Sequence, residues 1–80
     1  MKVEKEYVRN TIAELMDIAP EEITDTESLF LEIGMDSMIL MDLLYTIEKE
    51  YDICIDRTVF RADTNLNGLM DILRKSQGEA

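Results

Sequence analysis

Hydrophobic residues recur at helical spacing in three segments of the chain, and this pattern predicts three main helices. The first helix runs from about Lys2 to Asp17, with charged residues on the face opposite its apolar side. Pro20 marks its end, because the residue before a proline is disfavoured in the helical region of backbone space. The apolar positions of this helix are Val3, Tyr7, Val8, Ile12, Leu15 and Met16.

The second predicted helix is apolar on nearly every side. Asp36 or Ser37 caps it, and it continues to about Tyr51. Its apolar residues are Met38, Ile39, Leu40, Met41, Leu43, Leu44, Tyr45 and Ile47. In a protein of this size these side chains cannot all face one core, so the helix is expected to keep part of its surface for a partner.

The segments between the helices differ in character. Residues 19–34 predict a long, packed connection with one short helical turn, and connections of such length are often functional. Residues 51–56 alternate briefly like a strand, but a single strand without a partner is unstable, so an extended connector is expected there. Residues 57–62 predict a short helix.

Thr64 is expected to cap the last helix, which runs to Arg74. Its inward residues are Leu66, Leu69, Met70 and Leu73. The tail from about residue 75 to residue 80 is expected to fray. Together these elements predict an all-α fold, a small four-helix bundle of three main helices plus one short helix, with a long first loop and a single domain over residues 1–80.

The chain is strongly acidic. It has 18 acidic and 8 basic residues, so its formal net charge is −10. This charge argues against binding nucleic acid or an anionic membrane, since both require a basic surface. Partners with basic surfaces are favoured instead, and their association is expected to depend on salt.

Histidine is absent from the sequence, and Cys54 is its single cysteine. Ser-His and Cys-His catalysis are therefore excluded, as are histidine-based metal sites and a zinc or iron–sulfur site within one chain. We predict no catalytic and no metal-binding residue, so chemistry at a hydroxyl would be done to the protein by another enzyme. A single cysteine and an N-terminus without the apolar core of a signal peptide favour the cytoplasm.

The segment Asp63–Gly68 matches the opening of an EF-hand calcium loop. Such a loop needs an acidic bidentate ligand at its twelfth position, where this chain has Arg74. The loop would also occupy the start of the last predicted helix, and Asn and Asp are ordinary capping residues there. Helix capping is the favoured interpretation, with a calcium site as the alternative.

The segment Gly34–Met38, with the sequence GMDSM, places a polar pair between a turn and the second helix. Gly34 permits the tight turn, and Asp36 is suited to cap the free amides of the helix start. Ser37 would then lie exposed in the first turn, where the helix dipole favours a phosphate by about 0.3–1 kcal/mol. Because an activated nucleophile is excluded, we interpret Ser37 as a group that another enzyme modifies.

This pentapeptide resembles the Gly-x-Asp-Ser signature of acyl carrier proteins, and the similarity extends from about Val8 to Leu73. It includes the PEEI segment, the loop with SLF, the IEKEYDICI segment and the last helix. The resemblance implies that Ser37 carries a covalent 4′-phosphopantetheine, with Asp36 as a motif residue. A separate phosphopantetheinyl transferase would add this arm, whose thiol holds acyl or polyketide-type cargo as a thioester. The protein would then be a monomeric, non-catalytic carrier that shuttles cargo between synthase enzymes.

The resemblance also implies two roles for the second helix. The residues expected to pack inward are Leu43, Leu44, Ile47 and Tyr51. The residues expected to contact partner enzymes are Met38, Ile39, Met41, Asp42 and Glu48. Ile39 departs from fatty-acid carriers, which usually have an acidic residue at that position. This favours apolar docking in a specialised pathway, such as polyketide, nonribosomal peptide or lipid-tailoring synthesis, or a D-alanyl-type carrier.

Other functions remain compatible with the residues. A peptidyl or D-alanyl carrier would use the same serine for a different cargo. An acidic helical interaction domain without a prosthetic group would use the apolar second helix to bind a partner.

Overall fold

Three α-helices joined by loops with short helical turns carry the fold in the computed structural model, which describes residues 2–78. In chain order the helical elements are α1 (Lys5–Met16), a 3₁₀ turn (Pro20–Glu22), a π-helical turn (Leu29–Ile33), α2 (Ser37–Tyr51), a second 3₁₀ turn (Arg57–Val59) and α3 (Leu66–Ser76). The described residues contain no named strand. The predicted all-α bundle of three main helices and a short one is confirmed, although the first loop holds two helical turns where one was expected.

Helix α1 begins later than the predicted start at Lys2. Val3 lies before the helix and is buried all the same, with its N–H donating to Gln77 Oε1 at 3.0 Å. At the other end Asp17 adopts a left-handed conformation with φ of 57°, and the N–H of Ile18 donates to the carbonyl of Ala13 at 3.0 Å. Asp tolerates this conformation better than most residues, so the helix ends before Pro20 is reached.

The core is formed by apolar residues from all three helices and from the loops between them. Its buried members are Val3, Val8, Ile12, Ala13, Ile23, Leu29, Met35, Leu43, Leu44, Ile47, Ile55, Leu66, Leu69, Met70 and Leu73. The inward face predicted for α3 is therefore confirmed. For α2, three of the four residues expected to point inward are buried, while Tyr51 is half-buried and packs edge-on against Tyr7.

Hydrogen bonds fasten the long first loop to the loop before α3. Ser28 is buried, and its hydroxyl donates to the carbonyl of Ala62 at 2.8 Å while accepting the N–H of Leu31 at 3.1 Å. The N–H of Leu29 donates to the carbonyl of Thr64 at 2.9 Å. Buried polar groups are costly unless they find such partners. The two loops therefore lie side by side at one end of the bundle.

Asn65, and not Thr64, caps α3. The Asn65 side chain accepts the N–H of Gly68 at 2.8 Å, which corrects the predicted cap. The Thr64 hydroxyl instead accepts the N–H of Arg61 at 2.9 Å. Asn65 is one of the residues that matched a calcium loop, and its side-chain oxygen serves the helix start.

The predicted end of α3 at Arg74 is also wrong, because the helix continues to Ser76. Of the predicted frayed tail, residues 79 and 80 lie outside the described residues. Lys75 and Ser76 belong to the helix, and Gln77 accepts the N–H of Val3. None of the helices in the described part of the chain is both long and apolar enough to cross a membrane.

Ion pairs link elements at two places. Arg9 of α1 donates to the carbonyl of Ile23 and to the Asp25 carboxylate, which Lys5 also contacts at 3.1 Å. At the end of α2 the Glu48 carboxylate accepts both Nη atoms of Arg57, at 3.1 and 2.9 Å, and the N–H of Ile55 at 2.8 Å. Hydrogen bonds from Arg9 and from Arg57 lower the pKa of Asp25 and of Glu48 respectively. Both carboxylates thus favour the folded state in their charged form.

Substitution of a buried α2 leucine should strongly destabilise the protein. Leu44→Ala removes a side chain with no exposed surface and leaves a cavity, so we expect a loss of about 2–5 kcal/mol in the free energy of unfolding. Leu31→Ala is the matched control, because Leu31 is 70% exposed and its truncation should cost less than about 0.5 kcal/mol. Urea unfolding measures both, and similar losses in the two variants would contradict this packing.

The Glu48–Arg57 pair should make stability depend on pH in a defined direction. The pKa of Glu48 is lower in the folded protein than in the unfolded chain, so its contribution is present above about pH 4.3 and is lost as pH falls through the folded value. Glu48→Gln should therefore lower the free energy of unfolding near neutral pH, and its difference from the wild type should shrink in acid.

Urea unfolding at several pH values, with the exposed Glu50→Gln as control, measures this difference. The contrary result is a free energy of unfolding of Glu48→Gln that stays below that of the wild type by the same amount from neutral pH to well below the pKa of a free glutamate. This result would show that the charge of Glu48 is not the cause of the difference.

Candidate functional site

The start of α2 is held in place by the turn that precedes it. Gly34 has a φ of 98°, a left-handed conformation that suits glycine, and it ends the π-helical turn. Met35 follows with its side chain buried in the core and its N–H donating to the carbonyl of Leu29 at 2.7 Å. One buried anchor therefore precedes the exposed pair Asp36 and Ser37.

Asp36 is the cap of α2. Its backbone is extended, its Oδ1 accepts the N–H of Ile39 at 2.9 Å, and its carbonyl accepts the N–H of Leu40 at 3.0 Å. The open choice between Asp36 and Ser37 is thereby resolved in favour of Asp36. Ser37 is the first residue of the helix, and its side chain is left exposed.

A shallow open groove lies beside Ser37. Its volume is about 380 Å³, and it is lined by Phe30, Ser37, Leu40, Phe60, Arg61 and Ala62. Phe30 and Phe60 both pack partly against the core. The groove thus joins the helix start to the two loops that the Ser28 and Leu29 hydrogen bonds hold together.

An apolar stripe runs along the exposed face of α2, formed by Met38, Met41 and Tyr45. These side chains are 78%, 49% and 60% exposed. Their spacing of three and four residues places them on one side of the helix. Lys49 extends this face, with its Nζ 5.2 Å from the centre of the Tyr45 ring. The expectation that α2 is too apolar to face only the core is met by this stripe.

The structure places the predicted partner-contact residues in two groups. Met38, Met41 and Asp42 are exposed on α2. Ile39 is half-buried and packs against the core, and Glu48 is half-buried with its carboxylate held by Arg57. Packing and ion pairing within the chain therefore occupy part of the surface of Ile39 and Glu48. Partner contact by all five residues stays a prediction.

Tyr45 and Arg61 are not among the site residues predicted from the sequence. Tyr45 follows Met38 and Met41 at helical spacing, and that spacing was a usable signal. Arg61 carries no such signal, because it reaches the groove beside Ser37 only through the contact between two loops that are distant in sequence.

Comparison with known proteins identifies the family. Residues 6–73 match the family model described as "Phosphopantetheine attachment site". The chain belongs to this family. It is also 25% identical over 77 residues to the polyketide-8 synthase acyl carrier protein 2 of Streptomyces avermitilis, an alignment that covers 96% of this chain and 88% of that relative. The resemblance to acyl carrier proteins is confirmed, and with it the cofactor, a covalently attached 4′-phosphopantetheine.

The residues at the start of α2 fit such a group. Attachment by a separate enzyme requires a hydroxyl that is accessible from solvent, and Ser37 is exposed beside an open groove. The helix start also favours a phosphate through its dipole and its free amides. As a member of this family the protein is a non-catalytic carrier.

The cap at Asp36 gives a prediction on stability. Asp36→Ala should lower the free energy of unfolding by about 0.5–2 kcal/mol because the N–H of Ile39 loses its partner. Asp36→Asn should keep most of the stability, since asparagine caps equally well. Asp42→Ala, an exposed change within the same helix, is the control and should have little effect. Thermal or urea unfolding decides, and equal stability of Asp36→Ala and wild type would contradict the capping role.

Proposed function

We propose that Ser37 is the attachment point of the 4′-phosphopantetheine arm and that the protein carries acyl or polyketide-type intermediates between biosynthetic enzymes. A separate phosphopantetheinyl transferase would load the arm, whose thiol then holds the cargo as a thioester. Family membership supports the carrier role, and the exposed hydroxyl at the start of α2 supports the position.

The state of the three serines is the observation that carries this proposal. Ser28 is buried, and its hydroxyl donates to the carbonyl of Ala62. The hydroxyl of Ser76 donates to the carbonyl of Ile72 at 2.9 Å inside a helix. Only Ser37 is exposed at a helix start, where a transferase can reach its oxygen from solvent.

The chain itself contributes position and access. Asp36 fixes the first turn of α2, so the hydroxyl is presented on a rigid element and not on a mobile loop. A flexible arm at that point raises the local concentration of cargo at each docked enzyme. Rigidity at the base and freedom along the arm suit a carrier that visits several active sites.

The cargo that we propose is an acyl or polyketide-type chain. The relative from Streptomyces avermitilis is named as an acyl carrier protein of a polyketide synthase, and this supports the choice over fatty-acid, peptidyl or D-alanyl cargo. The apolar stripe on α2 agrees with docking in a specialised pathway, because its three exposed side chains offer a partner enzyme an apolar contact surface.

The partners that we propose are synthase enzymes with an apolar docking surface and a basic rim. Met38 and Met41 would supply adaptable apolar contact, and Asp42 beside them would pair with a basic residue. The net charge of −10 would speed the approach of such partners. We further propose that the carrier works as a monomer in the cytoplasm. The single cysteine favours this reducing compartment.

Loading with a transferase tests the attachment site. Wild-type protein incubated with coenzyme A, magnesium and a broad-specificity phosphopantetheinyl transferase should gain the mass of one phosphopantetheine. Ser37→Ala should gain none, and Ser76→Ala is the matched control that should load like the wild type. Intact-mass spectrometry reads all three.

Two results would overturn the proposal. Loading of Ser37→Ala at the wild-type level would place the group elsewhere. Absence of loading in all three proteins, with a known carrier loaded in parallel, would favour the acidic interaction domain without a prosthetic group.

A further inference from the structure

We propose that Arg61 binds the phosphodiester of the arm on Ser37 and holds the base of the arm in the groove beside α2. This proposal rests on the proposed attachment at Ser37. It assigns a positioning role to Arg61, a residue in the loop before α3. The ligand chemistry is an organic phosphodiester on the chain's own serine.

The first support is the geometry of the groove. Ser37 and Arg61 line the same open groove, although they are distant in sequence. The loop that carries Arg61 is fixed there, because Ser28 donates to the carbonyl of Ala62 and Leu29 to the carbonyl of Thr64. A phosphodiester bonded to the Ser37 oxygen therefore lies at the edge of a groove that already contains a cation.

The backbone of Arg61 is ordered while its side chain is exposed. Its N–H donates to the Thr64 hydroxyl at 2.9 Å, and its carbonyl accepts the N–H of Thr64 at 3.1 Å. These two bonds hold the residue without using the guanidinium. The side chain thus reaches into solvent from a fixed point, and substitution of it leaves these backbone bonds in place.

The second support is the distribution of charge. The chain has a net charge of −10, and Asp36 is the direct neighbour of Ser37, so a phosphodiester there meets repulsion. Several other cations are committed to carboxylates, namely Lys5, Arg9 and Arg57. Within residues 2–78, none of the ion pairs described for the chain involves Arg61. It is a cation available to an anion at this site.

The chemistry of the two groups matches. A guanidinium presents paired N–H donors that fit two phosphate oxygens at once, with charge-assisted hydrogen bonds. Three apolar side chains, Phe30, Leu40 and Phe60, also line the groove and suit the aliphatic part of the arm that follows the phosphate. Arg61 would thus direct the arm toward the loops before α3 and away from the apolar stripe on α2.

Amide NMR shifts of unloaded and loaded protein test this role. Phe60 and Ala62 flank Arg61 in sequence and line the groove with it, so an arm that Arg61 holds in the groove should shift their amides on loading. We expect these shifts in the wild type and smaller ones in Arg61→Gln, because loss of an exposed ion pair lowers the equilibrium constant for the bound arm by about 1.4- to fivefold. Arg61→Lys should keep part of the shift, because it keeps the charge.

Two controls separate this contact from general effects. Lys75→Gln makes the same charge change on α3 outside the groove and should leave the shifts at Phe60 and Ala62 as in the wild type. Added salt should reduce the shifts in the wild type and have little effect in Arg61→Gln, since screening acts on the ion pair.

Contrary outcomes are distinct for the two proposals. Full loading of Ser37 together with equal shifts in wild type and Arg61→Gln, or with no shift at Phe60 and Ala62, would overturn the role of Arg61 alone. An equal reduction in Lys75→Gln would overturn it as well, because net charge would then be the cause. Failure of Ser37 to load would overturn both.

Discussion

The hydrogen bonds that join the two long loops are the constraint on which the site depends. The Ser28 hydroxyl and the Leu29 N–H each reach across to a carbonyl of the loop before α3, and Ser28 is buried. Bonds of this kind are costly to lose, because each would leave a buried polar group without a partner. They fix the turn that leads to Ser37 beside the segment that carries Arg61, and they create the groove between them. An exposed serine, the cap of its helix and a neighbouring cation are thus brought together by two loops that are far apart in sequence.

Helix α2 divides its apolar surface between two tasks. One side contributes Leu43, Leu44 and Ile47 to the core, and the other presents the stripe of two methionines and a tyrosine to solvent. The cost of exposing the stripe is tolerable because burial of the opposite side, together with the Asp36 cap, holds the helix in place. The start of α2 is thereby held in place, while the stripe on its outer side stays exposed to solvent.

Periodicity in the sequence predicts the three helices and the core face of α3, because apolar residues at helical spacing leave one arrangement that buries them, but it does not predict where the helices begin and end. It also does not show which side of α2 faces the core, since a helix that is apolar all round does not define its own inward face. Thr64 and Asn65 are both good caps; in the structure Asn65 accepts the N–H of Gly68 at the helix start, while Thr64 accepts the N–H of Arg61. Glu48 pairs with Arg57 beyond the end of its helix, and the groove needs contacts between distant loops. Such contacts have no local signature.

The central claim is that Ser37 is the attachment point of a cargo-bearing arm. Its most direct test is proteolysis of the protein isolated from its own cells, with mass spectrometry of the peptide that contains Ser37. The account predicts that this peptide carries 4′-phosphopantetheine bonded to the serine oxygen, with an acyl group on the thiol in part of the sample. An unmodified Ser37 peptide throughout, or the group on another residue, would contradict it.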